Sequence, residues 1–138
     1  GVLLIVIGVV LCVSKKYRRG GMQMLSAELL SFIVGNLIIK NMVDRLRPCQ
    51  IDETVSLIVK IPFDSSFPSG HTLNGITAAV TLMFIDKRMG IPAIVLAVLI
   101  AFSRMYNFMH FPTDVLAGAV LGVVSAVFVN FLFKRAGN

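Results

Sequence analysis

The chain has 138 residues, of which 57% are apolar and only 14% charged, against roughly a quarter charged in a soluble domain. That balance excludes a disordered tail, a secreted disulfide scaffold and an ordinary cytosolic enzyme, and it leaves an integral membrane protein. The formal charge of +6 is spread between apolar runs and forms no single stripe. An anionic substrate or anionic lipid therefore fits it better than nucleic acid.

Five apolar segments follow in order: Gly1 to Val13, Met22 to Ile39, Ser69 to Ile85, Ile91 to Phe102 and Thr113 to Phe133. A spanning helix needs about 20 residues, with roughly 17 as the lower bound. The second and last segments meet this alone, and the third is near the limit. The fourth meets it if the helix runs on to Tyr106, and the first only with residues upstream. The predicted fold is all-α, a polytopic transmembrane helical bundle with five spans visible. It forms a single domain over residues 1–138, read as truncated at the N-terminus because the chain is already apolar at Gly1. Gly118 and Gly122 make a small-residue face for helix packing. Glu28, inside the second span, reads as a structural residue. Cys12 and Cys49 fall on opposite sides of the bilayer, out of disulfide reach.

The loops alternate in character. Lys15, Lys16, Arg18 and Arg19 follow the first span, Lys87 and Arg88 separate the third and fourth, and Lys134 and Arg135 follow the fifth. If all five cross, these bases share one side, which the positive-inside rule makes cytoplasmic. The other side carries bases and acids in equal number. The net charge is then mostly a topology signal, and nucleic-acid binding loses support. The long connection from Asn41 to Pro68 is unusual enough to suggest function. Within it, Val55 to Ile61 with Lys60 is either a plain loop or a stretch lying on the membrane interface.

Three polar groups sit at span ends on that outer side. In the first, Lys40 and Arg47 share a helix face if the second span stays helical through them, with Pro48 ending it. A Lys point charge beside an Arg fork suits a phosphate, and a snorkelling basic helix end is the plainer reading. In the second, Pro68-Ser69-Gly70-His71, Ser69 is a candidate N-cap and Gly70 allows close backbone approach. Free N–H groups at such a helix start bind anions. In the third, Ser103 and Arg104 precede His110 and Asp114, with Pro112 marking the start of the last helix. A carboxylate on the far imidazole nitrogen would fix the tautomer and raise nucleophilicity. Both histidines of the chain thus fall in one layer with three bases, which would repel a metal cation.

Together these groups resemble the three signature motifs of the type 2 phosphatidic acid phosphatase superfamily. Lys40, Arg47 and Pro48 match the first motif, Pro68 to His71 the second, and Ser103, Arg104, His110 and Asp114 the third. The resemblance covers about Met22 to Phe133, and one of the family's usual six helices is missing from this chain. It implies a metal-independent membrane phosphatase that needs no cofactor. His110 would be the nucleophile forming a phosphohistidine, Asp114 its orienting carboxylate, and His71 the general acid for the leaving group. Lys40, Arg47 and Arg104 would clamp the phosphoryl oxygens with Ser69 and the Gly70 N–H. The implied setting is the cell membrane, with a site on the extracytoplasmic side and a membrane lipid as partner. Undecaprenyl diphosphate is the first candidate, with phosphatidic acid and phosphatidylglycerophosphate fitting the same chemistry. No protein partner is inferable. Vanadate-dependent halide oxidation and lipid binding without hydrolysis are the rival readings.

Overall fold

The computed structural model describes residues 2–51 and 64–137, all helices and connections. Helix α1 is Val2–Val13, α2 is Arg18–Met42, α3 is the short Pro48–Ile51, α4 is Gly70–Ile85, α5 is Lys87–Tyr106 and α6 is Pro112–Arg135. The segment Val55 to Ile61 with Lys60 lies outside the described residues. Helices α2, α5 and α6 are long and apolar enough to cross a membrane, while α1 and α4 are apolar but shorter. The protein is thus an all-helical membrane protein whose helices follow the expected order. Helix α5 runs to Tyr106, as its span length requires, with Pro92 in its first turns.

Helix α4 is the centre of the bundle and packs against α2, α5 and α6. Its inward face is made of small and hydroxylated residues: Thr72, Leu73, Thr77, Ala78 and Thr81 are buried. Thr77 donates from Oγ1 to the Leu73 carbonyl at 2.9 Å, and Thr81 to the Thr77 carbonyl at 2.8 Å. Satisfying hydroxyls on their own helix is what a water-free interior demands. Gly118 and Gly122 of α6 form the small-residue face read from the sequence. A Cβ on Gly118 would lie 2.7 Å from the Ser69 carbonyl oxygen, and one on Gly122 2.7 Å from that of Leu73. Only glycine lets α6 approach the start of α4 so closely. The outward faces are apolar instead, as with Val95, Leu99 and Phe102 on α5 and Val120, Val127 and Phe131 on α6.

The basic loops gather at one end. Arg19, Lys134 and Arg135 line one cavity there, and Tyr17 donates to the Asp86 carboxylate at 3.3 Å, joining two of the connecting turns. Along α2, Gln23 donates to Asn130 of α6 at 3.1 Å. Glu28 is buried one turn further on, with Oε1 unpartnered among the described residues. Between Phe32 and Ile39 the helix is wound as a π-helix, and it ends at Met42. The expectation of a helix continuous from Lys40 to Arg47 is therefore corrected. The backbone turns extended at Val43, and Pro48 opens the short helix α3 instead of closing α2. Proline suits that first helical position because its missing N–H is unneeded there.

Candidate active site

The residues of the three motifs converge at the end opposite the basic loops. Lys40, Arg47, Gly70, His71, Arg104 and His110 line one cavity of about 680 Å³. The break in α2 is what brings Arg47 in. After the extended turn, its side chain folds back into the protein and is only 2% exposed. Its Nη1 donates to the Met109 carbonyl at 3.0 Å and lies 3.2 Å from His110 Nε2. Lys40 and Arg47 do face one point, but through this fold-back and not along one helix face.

His110 lies in the bend before α6, where Pro112 starts the helix as expected. Phe108, two residues earlier, takes a left-handed conformation with φ of 53°, which costs a bulky residue about 1–2 kcal/mol. That turn presents the Phe108 carbonyl to the Cys49 N–H at 3.1 Å and the Met109 carbonyl to Arg47. The imidazole is buried, and its Nδ1 lies 2.7 Å from the Ser66 carbonyl oxygen. A carbonyl can only accept, so this network assigns the proton to Nδ1. Nε2 keeps its lone pair and faces the cavity and the Arg47 guanidinium. Burial, and then the charge of Arg47, push the His110 pKa down to about 4, outweighing the Ser66 bond and the Asp114 charge. The ring is neutral at physiological pH, as a nitrogen nucleophile must be.

Asp114 is fully buried and 3.8 Å from His110 Nδ1, beyond hydrogen-bond range. The sequence expectation that this carboxylate directly holds the imidazole is thus modified: the Ser66 carbonyl makes the bond. Asp114 is itself held on both oxygens. Oδ1 accepts from Arg45 Nη1 at 2.7 Å; Oδ2 accepts from Ser66 Oγ at 2.6 Å and from the Phe111 N–H at 2.9 Å. The last bond caps the start of α6. Arg45 also stacks over the Phe111 ring at 4.2 Å.

Ser69 occupies the N-cap position of α4 but makes no capping bond through its side chain. Its hydroxyl instead accepts from Thr72 Oγ1 at 3.0 Å, and its N–H donates to the Asp114 carbonyl at 3.0 Å. That backbone link ties the second motif to the third. His71 projects from the first turn of α4 and is exposed to the cavity. Arg104, near the end of α5, has a buried Nε with no partner among the described residues.

Three contributors were not singled out from the sequence. Arg45 and Ser66 build the support of Asp114 and His110. Asp64 spans the two cations of the first motif, with Oδ2 2.5 Å from Lys40 Nζ and Oδ1 2.7 Å from Arg47 Nη2. Partial burial pushes its carboxyl up, but the Lys40 and Arg47 bonds and charges prevail and hold it below the usual range. Two cations that share a carboxylate in this way can equally share two oxygens of a phosphoryl group.

The fold and site define a helical membrane protein with a basic, histidine-bearing cavity at one end of its bundle. Residues 20–137 match the PAP2 superfamily, and the chain belongs to that family. It is 36% identical over 113 residues to an undecaprenyl-diphosphatase of Sulfolobus acidocaldarius, covering 81% of this chain and 54% of that protein. It is 33% identical to phosphatidylglycerophosphatase B of Bacillus subtilis, covering 64% of this chain and 46% of that protein. The chain spans about half the length of the curated relatives it matches. Its fold is similar to the crystal structure of a transmembrane PAP2 type phosphatidylglycerolphosphate phosphatase from Bacillus subtilis. The TM-score is 0.75 at 28% identity, over 96% of this chain and 68% of that one.

Proposed function

We propose that this chain hydrolyses lipid phosphates or isoprenyl diphosphates through a phosphohistidine on His110, with undecaprenyl diphosphate as the leading substrate. The observation that carries the reading is Arg47 Nη1 at 3.2 Å from His110 Nε2, inside a cavity shared with Lys40, His71 and Arg104. A phosphoryl oxygen bound to that guanidinium puts phosphorus beside the nitrogen lone pair. Nε2 attacks phosphorus as the bond to the leaving oxygen breaks, and His71 gives that oxygen its proton. Water then attacks the phosphohistidine and passes a proton to His71; the P–N bond breaks, releasing phosphate and neutral His110. Charge on the transferring group is spread over Lys40, Arg47, Arg104 and the Gly70 N–H, which is most of what phosphoryl transfer requires. Ser69, expected from the sequence to join this set, is fully buried and does not line the cavity.

The positive-inside rule supports an extracytoplasmic site in the cell membrane, because the basic loops lie at the other end of the bundle. Phosphatidic acid and phosphatidylglycerophosphate satisfy the same chemistry. The test is phosphate release in detergent from these three lipids, with EDTA and with vanadate as separate additions. Release that survives EDTA, stops with vanadate and vanishes in His110→Ala is the expected result. A folded His110→Ala variant that still turns over would overturn the nucleophile assignment.

A further inference from the structure

Three helices present descending columns of side chains to the same cavity. On α2, Lys40 is followed one turn deeper by Asn36 and then by Phe32. On α4, His71 is followed one turn deeper by Asn74. On α5, Arg104 is followed by Ile100 and Leu96. From the mouth inward the cavity is charged, then amide-lined, then apolar. The step between the charged and amide layers is about 5 Å of helix rise.

The amide layer is not explained by packing. Asn74 Oδ1 is buried with no hydrogen-bond partner among the described residues, a costly arrangement unless something else bonds that side chain. Asn36 is pressed against the start of α4, where a Cβ on Gly70 would come within 2.9 Å of its Oδ1. Its position is therefore set by the close approach of α2 to the second motif. An amide turns its NH₂ donor or its oxygen toward a ligand by rotation about its last torsion. Neutral amides at this depth suit oxygen acceptors that need orientation without further charge.

We propose that Asn36 and Asn74 form a leaving-group subsite for oxygens one turn below the transferred phosphoryl. The ligand chemistry is a second phosphate or a pair of ester carbonyls, followed at once by hydrocarbon. Resting on the phosphatase reading, this subsite makes the enzyme favour lipids that carry such oxygens over a simple alkyl phosphate.

The test compares kcat/KM for polyprenyl diphosphate, phosphatidic acid and dodecyl phosphate in the wild type and in Asn74→Leu and Asn36→Leu. Leucine keeps the branched outline of asparagine, and at position 74 it removes a buried oxygen unpartnered among the described residues, so the fold is expected to hold. Each variant should lower the ratio of one oxygen-bearing lipid to dodecyl phosphate about tenfold, as loss of one hydrogen bond predicts. A larger fall for the diphosphate identifies the second phosphate as the occupant, and a larger fall for phosphatidic acid identifies the ester carbonyls. Ratios within twofold of wild type overturn the subsite, including where all three rates drop together. If Asn74→Leu does not fold, Asn74→Ala and Asn36→Leu read the same ratio. A wild-type protein releasing phosphate from none of the three would instead remove the phosphatase reading itself.

Discussion

The Ser66 carbonyl oxygen stands 2.7 Å from His110 Nδ1, whereas the Asp114 carboxylate stands 3.8 Å away. Ser66 also donates its hydroxyl to Asp114 at 2.6 Å, so one residue holds both the imidazole and the carboxylate. Backbone geometry orients the ring, and the carboxylate acts at slightly longer range as a buried negative charge. In Ser66→Ala the carbonyl remains and one donor to Asp114 is lost, so kcat should fall about tenfold. Asp114→Ala removes the charge itself and should cost about 10²- to 10⁴-fold. Steady-state kinetics on the two purified variants checks the order. Equal losses would mean that the Ser66 hydroxyl, not its carbonyl, does the orienting.

Arg45 is the only cation within bonding distance of the Asp114 carboxylate among the described residues. In Arg45→Ala a fully buried carboxylate loses its charge partner, at about 1–3 kcal/mol of stability. The expected readout is a lower Tm in detergent together with reduced kcat. Arg45→Lys should restore part of the Tm, since the charge returns without the flat contact on Phe111. An Ala variant with wild-type Tm would show that Ser66 and the Phe111 N–H suffice.

The depressed pKa of His110 has a pH signature. As the proposed nucleophile His110 must be neutral, and it stays so down to about pH 4 in place of the ordinary 6.5. The acid limb of kcat/KM should accordingly lie well below 6.5. Stability changes in the same window. The unfolded chain binds this proton near 6.5 and the folded chain only near 4. The unfolded state therefore holds more protons between those values, and the His110 contribution to unfolding free energy declines as pH falls through them. A pH–rate profile with its acid limb at 6.5 would contradict the assignment.

Asp64 pairs with Lys40 and Arg47, the cations proposed to hold the substrate phosphate, and on that reading it competes with the substrate. Its side chain is 52% exposed, so each ion pair is worth only about 0.2–1 kcal/mol. Asp64→Asn should lower KM and strengthen vanadate inhibition, by up to about fivefold. A rise in KM would mean instead that Asp64 holds the two cations in place for the phosphate.

Much of this arrangement was legible in the sequence because its parts are local. Short runs such as Pro68 to His71 carry their residues into one turn whatever the rest of the chain does. Hydropathy likewise set the order of the helices, since a bilayer tolerates few alternatives. Contacts made by irregular backbone were not legible. A helix continued through Arg47 would put Arg45 on a different face from Lys40 and Arg47, and nothing in Val43 to Arg47 announces an extended turn. Ser66 acts partly through its carbonyl, which every residue has and no sequence marks. Asp64 is one acid among several in a long connection, and only the folded chain shows which cations it meets.

The π-helical stretch from Phe32 to Ile39 lies between the part of α2 that packs on α6 through Gln23 and the part that carries Asn36 and Lys40. A wider turn spends an extra residue without a matching gain in length. It therefore works as a phase adjuster, resetting which way the distal half of the helix points. Rewinding the stretch to α-helix with the same residues would turn each of them further about the axis, to about 100° per residue, and so swing Lys40 away from its present direction. The helix would keep its hydrophobicity, and the cavity would lose one of the cations that line it.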